Sequence, residues 1–116
     1  MAGSVHIPWY ATGFRGDKLE AAVADFAALS LRYGANAYSV FRGRDDRYKI
    51  LQVVEFDQKA DWEAYWNGPE AIRFRTINSG YYQVPVVYAW QDLVTKGDMR
   101  PVVEQDLAAD TPNVPA

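Results

Sequence analysis

The sequence predicts an α+β domain in which a single antiparallel sheet carries its helices on one side. Three observations lead there. Short β-rich runs alternate with two helical stretches in the order strand, helix, strand, strand, helix pair, strand. The strand runs are apolar on both parities, more than a sheet with one wet face requires. A glycine-proline break, Asn67-Gly68-Pro69, divides the second helical stretch in two. At 116 residues the chain has room for one core, and we assign residues 1–96 to that domain. Residues 97–116 read as an acidic C-terminal tail, flexible or draped over a partner, because Pro101, Pro112 and Pro115 interrupt it and periodicity fades.

Ser4 to Tyr10 forms the first strand, and Pro8, which has no N–H to donate, predicts an edge or a bulge there. Gly16-Asp17 starts a helix whose Leu19, Val23, Phe26 and Tyr33 recur at helical spacing until Gly34. Asn36–Arg42 and Tyr48–Phe56 are strands joined by a polar hairpin in which Arg42, Arg44, Asp45, Asp46 and Arg47 are expected to be solvated. Within the second of these runs Ile50, Val54 and Phe56 share one parity while Leu51 and Val53 share the other, predicting burial on both faces. Asp57 is expected to cap the next helix, which breaks at Gly68-Pro69 and resumes to about Ser79 before Gly80. Val84–Val94 is the last strand, with Tyr88 and Trp90 on one parity and expected at a subunit seam. This order is the split βαβ, ferredoxin-like arrangement, and two such sheets placed face to face make a dimeric α+β barrel.

Composition excludes several functions. With no cysteine the chain has no disulfide, iron–sulfur cluster, thiolate zinc site or cysteine nucleophile. A net charge of −3 without a basic stripe argues against nucleic acid. No metal-ligand spacing and no nucleotide-binding glycine loop is readable, so no metal and no cofactor is expected. Met1 to Tyr10 carries no targeting signature and no run approaches a membrane span, making a soluble cytoplasmic protein the default.

Phe56-Asp57 followed by Trp62, the Tyr65-Trp66-Asn67-Gly68-Pro69 break and the closing strand together resemble the antibiotic-biosynthesis-monooxygenase-like family over Ser4 to about Thr95. The resemblance implies a homodimeric α+β barrel and an aromatic-lined pocket between sheet and helices. Haem-degrading members pair a first-strand asparagine with an aromatic residue before the break and a histidine after it. Tyr65 or Trp66 fits the aromatic place. Ser4–Tyr10 has no asparagine, and the chain's one histidine, His6, lies in that strand, while Phe74 or a neighbour stands where the histidine would be. A phenyl ring cannot ligate iron, so haem degradation is disfavoured.

What the resemblance then implies is a cofactor-independent monooxygenase acting on a small phenol, quinol or polyketide-like aromatic. His6 and Tyr65 are the candidate proton acceptors; of Arg73 and Arg75, which follow the break on different sides of the helix, Arg73 is the candidate anion stabiliser. Trp62, Tyr65 and Trp66, at i, i+3 and i+4, share a helix face. Trp62, Trp66, Asn67 and Phe74 are the candidate substrate-binding residues. Two alternatives stand beside this reading: a non-catalytic ligand-binding or structural dimer of the same fold, and a polyketide cyclase or isomerase.

Overall fold

The computed structural model describes residues 1–99. Their elements are β1 (Gly3–Tyr10), α1 (Gly16–Leu29), a 3-10 turn (Ser30–Tyr33), β2 (Ala35–Arg42), β3 (Lys49–Phe56), α2 (Lys59–Trp66), α3 (Pro69–Ile77) and β4 (Trp90–Asp92). The strands form one sheet in the order β2-β3-β1-β4, every neighbouring pair antiparallel. This is the expected ferredoxin-like arrangement. The tail expected over 97–116 lies, from residue 100 onward, outside the described residues.

Alternation decides which side chains meet the helices. On β1, Val5, Ile7 and Trp9 are buried while His6 and Pro8 are exposed; on β3, Ile50, Gln52, Val54 and Phe56 are buried while Leu51 and Val53 are half-buried. Leu19, Val23 and Phe26 of α1 with Trp62, Tyr65, Trp66, Ala71 and Phe74 of the helix pair close the covered side. Each large apolar side chain taken out of water there contributes roughly 1.5–3 kcal/mol. Among the described residues the other face of the sheet carries no helix.

Two glycines are required by their surroundings. Gly34 ends the 3-10 turn at φ +97, in the left-handed region that L side chains rarely adopt. Gly68, at the break, admits no Cβ: one would stand 2.7 Å from the Ala64 carbonyl oxygen and 2.7 Å from the Tyr33 hydroxyl. That hydroxyl donates to Glu70 on the first turn of α3, which locks the angle between α2 and α3.

Three expectations need correction. Asp57 does not cap α2; Gln58 occupies the cap position without a side-chain bond, and the Asp57 carboxylate accepts from Asn36 Nδ2 at 2.8 Å. Asn36 is the extra residue of a bulge between Ala35 and Ala37, which frees its amide to compete for that carboxylate. The hairpin is not simply solvated. Arg42 reaches Asp17 at 3.1 Å and Glu20 at 2.8 Å on α1 and keeps only 14% of its side chain exposed, while Asp46 accepts from the Tyr10 hydroxyl at 2.7 Å.

The largest correction concerns the last strand, which pairs only over Trp90–Asp92 instead of Val84–Val94. Tyr82 bridges Ala11 and Trp90 pairs with Val5. Eight residues separate Tyr82 from Trp90 but six separate Val5 from Ala11, so the outer chain holds two surplus residues and must bow out. Proline makes this the place for it. The Ala2 and Tyr10 carbonyls and the Thr12 amide all point to this edge, and by alternation so does Pro8, which offers it no N–H. Pro8 itself keeps regular register with Leu51, and the irregularity along this edge lies on the facing chain.

Candidate functional site

The aromatic side chains converge where the helix break meets the end of β1. Trp62 and Trp66, one turn apart on α2, stack with centroids 5.3 Å apart at 23°. Trp9 of β1 approaches Trp66 at 6.0 Å, Phe74 at 5.2 Å and Tyr82 at 4.9 Å, the last two edge to face. Phe26 stacks on both Tyr65 and Phe74, at 4.7 and 4.5 Å. The spacing of Trp62, Tyr65 and Trp66 thus delivers one contiguous aromatic wall, as helical periodicity requires.

Beneath the wall runs a buried polar chain that the sequence reading passed over. Trp9 Nε1 donates to Gln52 Oε1 at 2.9 Å, Gln52 Nε2 donates to the Tyr65 hydroxyl at 3.0 Å, and that hydroxyl donates to the Phe26 carbonyl at 2.6 Å. The signal was present in the sequence: Gln52 shares the parity of Ile50, Val54 and Phe56, so a polar group had to enter the core and find partners there. Burial pushes the Tyr65 hydroxyl well above the ordinary phenol range, the Gln52 hydrogen bond only partly offsetting it. Such a group holds its proton and is already engaged at both ends. The expected proton-acceptor role for Tyr65 has no geometric basis in this arrangement.

The remaining expected residues divide among four places. Trp62, Trp66 and Phe74 lie together in the wall. Asn67 is exposed at the C-cap of α2. His6 stands on the uncovered face of the sheet, beside Ser4, Val53, Glu55 and the segment from Gln91 to Lys96 in a recess of about 380 Å³. The sheet separates it from Tyr65. Arg73 is exposed on the outer flank, where α1 and α3 form an open groove of about 460 Å³ floored by Ala22, Phe26, Leu29 and Phe74.

Arg75, two residues on, is the arginine at the wall. Its guanidinium lies 4.3 Å from the Trp66 ring centroid and its Nη1 donates to the Trp66 carbonyl at 2.9 Å. Among the described residues it makes no ion pair, so its charge is available to an anion. The Tyr82 hydroxyl, raised by burial, is pulled back by that same charge.

Tyr88 supplies the last wall, at 4.6 Å from Trp66 and 5.6 Å from Trp62. It does not stand at a seam on the open face: Trp90, of the same parity, pairs with the buried Val5, so that parity faces the helices. Trp90 is likewise drawn toward the covered side, packed against the core with its indole N–H donating to Asp92. With Tyr88 in place the slot beside Trp62 and Trp66 is filled.

Haem does not fit these residues. Phe74 stands after the break with its ring stacked on Phe26 and offers iron no donor, while the phenols of Tyr65 and Tyr82 are held in the core. Among the described residues no group of three or more His, Asp or Glu gathers to hold a metal ion, and no helix is long and apolar enough to cross a membrane.

No protein-family model and no curated protein matches the chain. Solved structures do. A protein of Mycobacterium tuberculosis matches with a TM-score of 0.73 at 10% identity, over 84% of this chain and 100% of that one. A protein of Pseudomonas aeruginosa gives 0.72 at 18% identity, over 81% and 95%. A structure described as an antibiotic biosynthesis monooxygenase gives 0.70 at 12% identity, over 82% and 100%. The chain therefore has the ferredoxin-like α+β fold of the antibiotic-biosynthesis-monooxygenase-like proteins.

Proposed function

We propose that this protein is a cytoplasmic homodimer that binds a small, planar, anionic aromatic molecule in the slot beside Trp62 and Trp66 and oxygenates it without a cofactor. The observation that carries this reading is the pairing of flat aromatic walls with an arginine, Arg75, stacked on one of them and without an ion pair among the described residues. The shared fold with a protein described as an antibiotic biosynthesis monooxygenase supports the reaction class.

The chemistry asks little of the protein. An electron-rich phenol or quinol, once deprotonated, reduces dioxygen directly: one oxygen atom becomes a ring carbonyl, giving a quinone, and the other leaves as water with the displaced ring hydrogen and the hydroxyl proton. The guanidinium of Arg75 favours the phenolate over the phenol, lowering the substrate's own pKa so that no strong base is needed. Arg75 thereby takes the role expected of Arg73. Dimerisation rests on Leu51 and Val53, half-buried on the uncovered face with Phe41 beside them, which a second sheet would cover.

The test is oxygen uptake with a panel of phenols and hydroquinones, against Arg75→Gln. Uptake that falls at least about ten-fold in the variant supports the assignment; no uptake above the protein-free rate with any member of the panel overturns oxygenation. The second reading, a dimer of this fold that binds but does not react, is favoured by one specific observation. Every polar atom of the Trp9–Gln52–Tyr65 chain is already satisfied, leaving none to act on a ligand.

A further inference from the structure

We propose that Gln83–Ala89 is a lid over the aromatic slot, and that the Tyr88 ring occupies the place a single-ring phenolic ligand takes. The inference deepens the reading of the slot given above and rests on it. Its first support is the excess of chain. The segment is pinned at one end by the Tyr82–Ala11 bridge and the Gln83 amide bond to the Tyr10 carbonyl at 2.8 Å, and at the other by β4. Between those anchors the two surplus residues leave Val84 to Ala89 without a backbone hydrogen bond to the sheet, among the described residues.

The second support is where the side chains of that segment go. Val84 and Val87 remain 76% and 71% exposed and only the half-buried Val86 packs against the core, so the aliphatic groups do not by themselves hold the segment down. Tyr88 does: its ring meets Trp66 at 4.6 Å and Trp62 at 5.6 Å, while 37% of the residue stays open to water. A contact of two rings can be exchanged for an equivalent contact with a ligand. What enters must match what leaves, a single planar ring with a hydroxyl, and Arg75 against Trp66 adds a preference for the ionised form.

The third support is that lifting the segment breaks no ladder. A lid whose opening cost sheet hydrogen bonds would remain shut, whereas this one opens by losing ring contacts and the packing of Val86. A closed lid lowers apparent affinity by the fraction of molecules that are open, so removing its plug raises affinity without adding a contact to the ligand.

Binding of 4-nitrophenol under mildly alkaline conditions, read by quenching of tryptophan fluorescence, tests this on the full chain. Tyr88→Ala should bind at least about ten-fold tighter than the unaltered protein, and Tyr88→Phe, which keeps the ring, should bind like it. Equal affinity in Tyr88→Ala and the unaltered protein overturns the lid. A measurement on the unaltered protein stands independently of any variant: nuclear Overhauser contacts between Tyr88 and the Trp62 and Trp66 rings should vanish on saturation with 4-nitrophenol, and their persistence overturns the proposal. Binding without oxygen uptake would remove the oxygenase reading alone; absence of binding to both proteins would remove slot and lid together.

Discussion

The two faces of the sheet are built from the same strands and treat neighbouring residues in opposite ways. Ile50 is 1% exposed beneath the helices, whereas Leu51, the next residue, is half-buried on the face that carries none. Trp9 is sealed among Trp66, Phe74 and Tyr82 while its neighbour Pro8 is exposed. The covered face is completed within one chain, down to the hydrogen bonds of its buried glutamine. The open face is left for something else to finish, and its apolar residues state the chemistry of what that must be.

The covered face should break hardest. Trp9→Ala removes a fully buried ring and strands Gln52 Oε1, and should cost about 3–5 kcal/mol in chemical denaturation, in the range of large core truncations. Pro8→Ala beside it should cost almost nothing. Tyr65→Phe is subtler: the ring stays, but Gln52 Nε2 and the Phe26 carbonyl lose their shared partner, for an expected loss of about 1–3 kcal/mol. A loss near zero would show that water reaches the polar chain.

On the open face Leu51→Arg should leave the stability of the protomer within about 0.5 kcal/mol while abolishing self-association in sedimentation. If the protein sediments as a dimer with arginine at this position, the seam lies elsewhere. Smallest of all are the hydroxyl–carboxylate pairs at the margin of the covered face. Asp46 is held below the ordinary carboxylate range, chiefly by the Tyr10 hydroxyl, and Glu70 likewise by that of Tyr33. A carboxylate whose folded pKa is depressed stabilises the fold above its unfolded value, and that contribution is lost as pH falls through the folded one. Stability should therefore decline below about pH 4, and Tyr10→Phe together with Tyr33→Phe should flatten that decline in acid melts.

Legibility in the sequence followed how local the determining interaction was. The order of strands and helices, the stop at Gly34 and the break at Gly68-Pro69 depend on periodicity and on single residues with strong backbone preferences, and these could be read directly. The assembly of Trp62, Trp66 and Phe74 followed from helical spacing. The site's polar and charged members were harder. His6 and Tyr65 both belong to strands or helices that touch the core, yet alternation on β1 sends His6 to the opposite face. Arg73 and Arg75 differ by two positions on one helix, and only the angle set by the break and the place of Trp66 decides which of them meets the wall.

Tyr88 shows the same limit more sharply. It was expected at the seam, yet only the pairing of Trp90 with the buried Val5 decides that this parity faces the helices, and nothing within that run announces two surplus residues, since the surplus exists only relative to β1.

Backbone preference and hydrophobic period act over a few residues, so the residues alone determined the elements, their order and the two-sided apolar character of the sheet. Register between distant strands is decided by hydrogen bonds and packing that form only when the chain has closed on itself. Tertiary structure alone therefore decided that β1 is paired along one edge and largely released along the other, that Gln52 joins Trp9 to Tyr65, and that a tyrosine expected in the sheet lies instead across two tryptophans.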